Sequence, residues 1–133
     1  MRLWSEPETQ PFVTAFRQAE VVRVVDGDTL DLRIDLGFDV QLATRIRLVS
    51  LDDAGQLVGV DAWETRGRER AQGKAAKLRV EELYGEPVRI LSARGGSRGK
   101  YGRWLAAVLF KTDDGWRDLG QALLAEGHAE PWG

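Results

Sequence analysis

Residues 19–48 have the sequence AEVVRVVDGDTLDLRIDLGFDVQLATRIRL, in which three segments carry strand patterns. Residues 19–25 are rich in valine, and residues 30–36 place Leu or Ile at every second position. Residues 40–48 repeat this alternation, with polar side chains on the other face. A period of two is typical of a half-buried strand, and the DGD at 26–28 is a turn signal. We therefore predict an antiparallel meander of three strands.

Downstream of the meander, the apolar pattern changes to helical spacing and then returns to strands. The predicted elements are a helix over 64–84, strands over 88–92 and 104–110, and a hairpin turn over 112–115. A last helix is predicted from Asp118, with Gln121 at capping-box spacing and Gly127 as its stop. A five-stranded barrel with two or three packed helices would leave no exposed sheet edge, so the expected class is mainly β with helices (α+β).

The apolar spacing of the two helices also predicts which residues face the core. In the first helix the predicted core residues are Ala71, Ala75, Ala76, Leu78, Val80 and Leu83. In the last helix they are Leu119, Ala122 and Leu123.

The chain has 133 residues, which is typical of one domain, and we predict an arm over 1–18 and a single domain over 19–133. It has no cysteine, so a disulfide, a thiolate metal site and a cysteine nucleophile are excluded. The N-terminus lacks the apolar core of a signal peptide, and no run approaches transmembrane length. We therefore expect no membrane contact, and a location that is cytoplasmic or left open. A monomer is also expected.

Charge is distributed unevenly along the chain. The net charge of −2 argues by itself against a general nucleic-acid binder. Residues 64–103, however, contain 11 Lys and Arg against 5 Asp and Glu, and the segments on either side are acidic. This pattern fits a site where cations meet a polyanion and carboxylates meet a metal, although a solvated helix face would give the same counts.

Acidic side chains occur in two short groups that suit metal chemistry. Asp26 and Asp28 flank a glycine, and carboxylates on a tight turn are ligands for a hard cation; a plain Asp-Gly turn is the alternative. Asp61 and Glu64 are three residues apart. They could be a helix N-cap and its capping-box partner. Alternatively, Asp61 binds the metal and Glu64 accepts a proton from an attacking water.

Basic and aromatic residues supply candidate phosphate ligands. Arg47 and Arg103 lie beside apolar strand residues, and a guanidinium offers a rigid fork to two phosphate oxygens and stabilises transition-state charge. An exposed strand arginine is the alternative for each. Lys100 and Tyr101 could contact substrate through a phosphate or a stacked base, or Tyr101 could be a packing residue.

A near-repeat lies between these groups. Residues 47–55, RLVSLDDAG, are followed by residues 56–64, QLVGVDAWE, with Leu, Val and Asp at equivalent places. The repeat is a tandem duplication, an insertion or a chance match. If it is a duplication, two segments compete for one strand position, and the register decides which side chains face inward.

Together these motifs resemble those of the staphylococcal nuclease-like (thermonuclease) family, over about residues 20–132. The matching motifs are VVDGDT at 24–29, RLV at 47–49, VDAWET at 60–65 and KYGR at 100–103. The resemblance implies an OB-fold barrel and calcium-dependent hydrolysis of phosphodiester bonds in DNA or RNA. It further implies that Ca²⁺ is bound by Asp28, Asp61 and the backbone carbonyl of Ala62. The implied catalytic residues are Glu64 as general base, with Arg47 and Arg103 on the scissile phosphate.

The chain departs from the family pattern in the second motif. Trp63 replaces a proline, and Arg47 precedes Asp61 by fourteen residues, where the family has five. We predict that residues 50–58 are looped out and that Arg47 keeps the strand position; the alternative places Gln56 there. Either arrangement is expected to reduce activity. The alternative function is a catalytically weak or silent OB-fold domain that binds nucleic acid or serves as a scaffold.

Overall fold

The computed structural model describes residues 3–4, 13–53, 57–84, 88–93 and 104–132. Within these ranges the chain forms nine strands, two α-helices and one 3-10 turn. The strands are β1 (Leu3–Trp4), β2 (Val13–Asp26), β3 (Thr29–Gly37), β4 (Val40–Leu51), β5 (Leu57–Ala62), β6 (Val88–Ala93), β7 (Trp104–Thr112), β8 (Gly115–Asp118) and β9 (Ala129–Trp132). The helices are α1 (Arg70–Leu83), which follows the 3-10 turn Gly67–Glu69, and α2 (Leu119–Ala125).

Five of these strands close into a barrel. Their order is β2–β3–β4–β7–β6, and β6 pairs with β2 again. All neighbouring pairs are antiparallel except β4 and β7, which run parallel. This closed, five-stranded arrangement with two helices is OB-like, and it confirms the predicted fold class. In the described part of the chain, no helix is both long enough and apolar enough to cross a bilayer.

The predicted strands are all present, but four further strands were not predicted. The first barrel strand begins at Val13, earlier than the pattern at 19–25 indicated. The unpredicted strands β1, β5, β8 and β9 are short and lie outside the barrel. β5 and β9 extend the sheet from β4, and β8 extends it from β7 and pairs with β1. Short outer strands of this kind are set by pairing partners far along the chain, which local alternation does not reveal.

The alternation in β3 and β4 fills the barrel near one end and becomes exposed at the other. Leu30, Leu32 and Ile34 are buried, with 6% exposure or less. The same alternation continues to Leu36, which is 38% exposed, and to Val40, which is 52% exposed. The ladder between β2 and β3 ends at Ile34, so the hairpin beyond that residue extends past the barrel.

Helix α1 begins later than predicted, at Arg70, and its predicted core face is only partly confirmed. Ala76 and Val80 are buried as predicted and Leu83 packs against the core, whereas Ala71, Ala75 and Leu78 are exposed. Gly73, which was not predicted, is also buried, because the helix lies close to β2 and to the backbone before it. The interpretation of Asp61 as a helix N-cap is also wrong, because Asp61 lies in strand β5.

Helix α2 matches its prediction closely. The Asp118 carboxylate accepts a hydrogen bond from the Gln121 backbone N–H at 3.2 Å, as an N-cap does. Gly127 follows the helix with φ of 78°, a left-handed conformation that favours glycine. The predicted core residues Leu119, Ala122 and Leu123 are buried.

The segment between Arg47 and Asp61 contains the paired ends of β4 and β5, so the prediction that residues 50–58 are looped out is wrong. β4 continues to Leu51, the chain returns in β5, and Ser50 pairs with Val58. Ser50 and Leu51 are buried, because this end of β4 packs on α2 and the outer strands. Arg47 keeps its place in the barrel strand, opposite Thr29. Gln56 lies outside the described residues, and the expected effect of the insertion on activity stays a prediction.

Asp118 joins this end of β4 to helix α2. Its side chain is completely buried, and one carboxylate oxygen accepts hydrogen bonds from the Ser50 hydroxyl at 3.0 Å and from the Leu51 N–H at 3.1 Å. The other oxygen caps α2 through Gln121. Desolvation outweighs these hydrogen bonds and raises the pKa of Asp118 from 3.8 to about 6.

The raised pKa of Asp118 predicts a specific pH dependence of stability. The folded protein holds the Asp118 proton more tightly than the unfolded chain does. The contribution of this proton to the free energy of unfolding is therefore largest below about pH 4 and is lost as the pH rises through about 6. The free energy of unfolding of the native chain, minus that of Asp118→Asn, should therefore fall by about 3 kcal/mol between pH 4 and pH 7. Urea unfolding at a series of pH values measures this difference.

The matched control is Asp113→Asn, which changes an exposed carboxylate in the β7–β8 turn. Its stability curve should run parallel to that of the native chain over the same pH range. Parallel curves for Asp118→Asn as well would contradict the prediction.

Candidate functional site

A cavity of about 470 Å³ opens where the β2–β3 turn, strands β4 and β5, and helix α1 meet. Its volume lies in the range of small-molecule sites. Its lining includes six residues singled out from the sequence: Asp26, Asp28, Arg47, Asp61, Ala62 and Glu64. They belong to three separate segments of the chain, which the barrel brings to one end.

Asp28 is the most buried carboxylate of the cavity, with 7% exposure. Its Oδ1 accepts a hydrogen bond from the Thr29 hydroxyl at 2.9 Å, and its Oδ2 accepts one from the Ala62 N–H at 3.0 Å. Burial raises the pKa of Asp28, and the nearby charge of Arg47 works in the opposite direction. The tight turn before it needs Gly27, because a Cβ at that position would lie 2.9 Å from the Ala62 Cβ.

Arg47 connects the two predicted metal ligands. Its Nη2 lies 3.0 Å from Oδ1 of Asp61 and 3.4 Å from Oδ2 of Asp28. The Arg47 side chain is 17% exposed and that of Asp28 10%, whereas that of Asp61 is 63% exposed, so the contact with Asp28 alone is largely shielded from water. Two carboxylates that are thirty-three residues apart in sequence therefore converge on a single positively charged atom.

Asp61 and Ala62 end strand β5 and form one wall of the cavity. The Asp61 side chain is 63% exposed, whereas the Ala62 residue is buried. The atom of Ala62 that contacts Asp28 is its amide nitrogen. The sequence prediction gave its carbonyl oxygen to the metal, and that role stays a prediction.

Glu64 lies in the segment between β5 and the 3-10 turn, at the mouth of the cavity. Its side chain is exposed, and its backbone N–H lies 3.4 Å from a carboxylate oxygen of Glu69. The next residue anchors this segment, because the Thr65 hydroxyl donates to Oδ1 of Asp26 at 2.8 Å. Glu64 is therefore held beside the cavity while its carboxylate remains open to solvent.

Gly73 allows helix α1 to approach this segment. A Cβ on Gly73 would overlap the backbone carbonyl of Glu64 and crowd the amide nitrogen of Thr65. The clash is with backbone, which cannot rotate away as a side chain can. Because Gly73 has no side chain, helix α1 can pack directly against the backbone of Glu64, the residue proposed to face the substrate.

The donor set suits a hard cation. Asp28 and Asp61 supply carboxylate oxygens to one point, where Arg47 now places a positive charge. Calcium prefers such ligands and completes its shell with carbonyls and water. Among the residues that the structure describes, no group of three or more acidic or histidine side chains is placed to hold a metal ion. Calcium here would thus need oxygens from substrate or water in addition to the two carboxylates.

Three predicted residues cannot be compared with the structure. Lys100, Tyr101 and Arg103 lie outside the described residues. Their assignment to phosphate and substrate stays a prediction.

Sequence reasoning missed several residues of the cavity. They are Arg23, Arg66 and Lys77, together with the contact between Asp26 and Thr65. Gly73, which supports the cavity from α1 without lining it, was also missed. The excess of positive charge over 64–103 pointed towards Arg66 and Lys77 without singling them out. Arg23 gives no local signal, because it is one of several charged residues on the outer face of a strand.

Comparison with known proteins adds no assignment: neither the protein-family models nor the curated proteins searched give a match to this chain.

The close approach at Gly73 predicts an unusual response to alanine. In an open helix position Gly→Ala stabilises by about 0.5–1 kcal/mol. Here Gly73→Ala should lower the free energy of unfolding by about 1–3 kcal/mol, because the added methyl group forces the helix away from Glu64. Urea unfolding measures the loss, and the amide ¹⁵N shifts of Glu64 and Thr65 report the displacement.

Lys74→Ala is the control, since Lys74 is exposed on the same helix. It should change stability by no more than about 0.5 kcal/mol and leave both amide shifts in place. A stabilised Gly73→Ala variant would show that the close contact does not exist.

Proposed function

We propose that this protein is a calcium-dependent nuclease of the staphylococcal nuclease-like type, which hydrolyses phosphodiester bonds of DNA or RNA. The observation that carries the proposal is the convergence of Asp28 and Asp61 on the guanidinium of Arg47, in a cavity that Glu64 also lines. One cavity thereby contains two carboxylates that suit a metal ion, an arginine that suits a phosphate, and a solvent-accessible carboxylate that suits a water molecule.

In this proposal, Asp28 and Asp61 hold the metal ion, together with the carbonyl of Ala62. Calcium would supply a Lewis acid that polarises a phosphate oxygen. The hydrogen bonds to Asp28 from Thr29 and Ala62 fix its carboxylate in one orientation. Preorganised ligands of this kind need no rearrangement during the reaction.

Glu64 acts as the general base. It takes a proton from a water molecule, the water oxygen forms a bond to phosphorus, and the bond from phosphorus to the leaving sugar oxygen breaks. Its exposure keeps the carboxylate available to water, and the support from Gly73 and Thr65 keeps it beside the cavity.

Arg47 is proposed to bind the scissile phosphate. Its guanidinium remains charged throughout and offers several N–H donors to the phosphate oxygens as negative charge builds up in the transition state. Arg103 is proposed for the same phosphate, and Lys100 and Tyr101 for the flanking substrate. A monomeric state and a cytoplasmic location belong to the proposal as well.

The second candidate function is a silent domain that binds nucleic acid without cutting it. The specific observation in its favour is that Arg47 already contacts both carboxylates at the point where a metal ion would bind. Binding of single-stranded DNA without cleavage in millimolar calcium is the result that this alternative predicts.

Removal of the general base separates the two candidates. Glu64→Gln should lower the rate of calcium-dependent DNA cleavage by about 10²–10⁴-fold, because the amide cannot take the proton from water. DNA binding should be retained, since the variant removes no cation. Cleavage of a fluorescently labelled oligonucleotide gives the rate, and fluorescence anisotropy gives the dissociation constant.

Glu81→Gln is the matched control, because Glu81 is exposed on α1 and does not line the cavity. It should cleave at the native rate. Native-rate cleavage by Glu64→Gln would refute the role of Glu64, and absence of cleavage by the native chain would favour the silent domain.

A further inference from the structure

Three cations of the cavity have no role in the mechanism proposed above. Arg23, Arg66 and Lys77 all line it. Within the described ranges, none of the three makes a side-chain hydrogen bond or an ion pair. Other arginines behave differently: Arg45, for example, pairs with Asp31 at 2.8 Å and Arg79 with Glu126 at 2.6 Å.

The three cations come from three elements that are fixed to one another. Arg23 is on β2, and Arg66 is on the segment that Thr65 ties to the end of that strand through Asp26. Lys77 lies on α1 one turn after Gly73, whose backbone packs against that same segment. Residues four apart lie on the same face of a helix, so Lys77 is on the face that approaches the cavity.

Apart from Glu64, the proposed general base, the carboxylates near these three cations are already engaged with other groups. Asp28 and Asp61 contact Arg47, and Asp26 accepts the hydrogen bond from Thr65. Opposite Arg23 in the β2–β3 ladder, Asp31 accepts two hydrogen bonds from Arg45. Three like charges that share a cavity repel one another, and an anion that enters between them relieves this repulsion.

We propose that Arg23, Arg66 and Lys77 form a second phosphate subsite, which binds the phosphate next to the scissile one in a nucleotide chain. This inference rests on the proposed function for the identity of the first phosphate. The subsite predicts that the preferred substrate has at least two phosphates. It also assigns Arg66 and Lys77 to substrate binding, whereas the general base Glu64 acts in the chemical step.

The test compares dinucleotides that differ by one phosphate. The probes are thymidylyl-thymidine, which has a single internal phosphate, and the same dinucleotide with an added 5′ or 3′ terminal phosphate. Binding in calcium is measured by calorimetry with the full chain carrying Glu64→Gln, so that no probe is cut. At one of the two ends the added phosphate should tighten binding at least about tenfold, as expected for hydrogen bonds to a charged group.

Replacement of the three cations should remove this gain. In the same background, the combined change of Arg23, Arg66 and Lys77 to Gln should leave thymidylyl-thymidine binding within about twofold, and the terminal phosphate should no longer help. The matched control changes Arg68, Arg70 and Lys74 to Gln, which removes equal charge from exposed positions outside the cavity. The control should keep the tenfold gain. Lys77→Gln alone, compared with Lys74→Gln, gives the same test with a minimal change.

The outcomes separate the subsite from the nuclease. A gain from neither terminal phosphate, or an equal loss in the control, overturns the subsite even if the native chain cleaves DNA. A gain that depends on the three cations supports the subsite even if the native chain cleaves nothing, in which case the nuclease proposal alone fails.

Discussion

The contact of one Arg47 nitrogen with both Asp28 and Asp61 is the interaction on which the site depends. It joins the β2–β3 turn, the barrel strand β4 and the outer strand β5. Burial of the Asp28 carboxylate is unfavourable by itself, and the Arg47 charge together with donors from Thr29 and Ala62 offsets that cost. Removal of any one partner would leave a poorly solvated charge behind, so the three side chains constrain one another's positions.

The end of β4 extends past the part of the barrel that carries Arg47. β4 pairs with β3 as far as Arg47 and with β7 as far as Val49, and its last residues pair with β5. Asp118 holds this end of β4 against α2 through its contacts with Ser50 and Leu51. Four donors surround the buried Asp118 carboxylate, from Ser50, Leu51, Gln121 and the backbone N–H of Gly120, and they specify one arrangement of β4 and α2. The raised pKa of Asp118 indicates that burial of this carboxylate is not free of cost.

Local pattern predicted the barrel strands and α2 correctly, because period and turn chemistry are local properties. The sequence motifs also singled out residues that the structure brings to one cavity, while the chemical roles of those residues stay predictions. It failed wherever distant segments decided the outcome. Gly73 is buried because α1 approaches the backbone carbonyl of Glu64 closely at that residue. Only residues with apolar side chains were assigned to the core from the sequence, so this glycine was missed. Strand β5 forms because it pairs with β4 and β9. Asp61 therefore lies in a strand and does not begin a helix. Arg23 belongs to the cavity through contacts between elements that no single segment of sequence records.

Calcium binding to the full chain tests most directly whether the Asp28–Arg47–Asp61 cluster is a metal site. In a calorimetric titration, we expect one calcium ion to bind the native chain, with amide shifts in NMR spectra concentrated at Thr29 and Ala62. Asp28→Asn and Asp61→Asn should each weaken that binding at least about tenfold, because each removes a ligand charge. A native chain that binds no calcium at millimolar concentration, or that binds it equally well in both variants, would contradict the account.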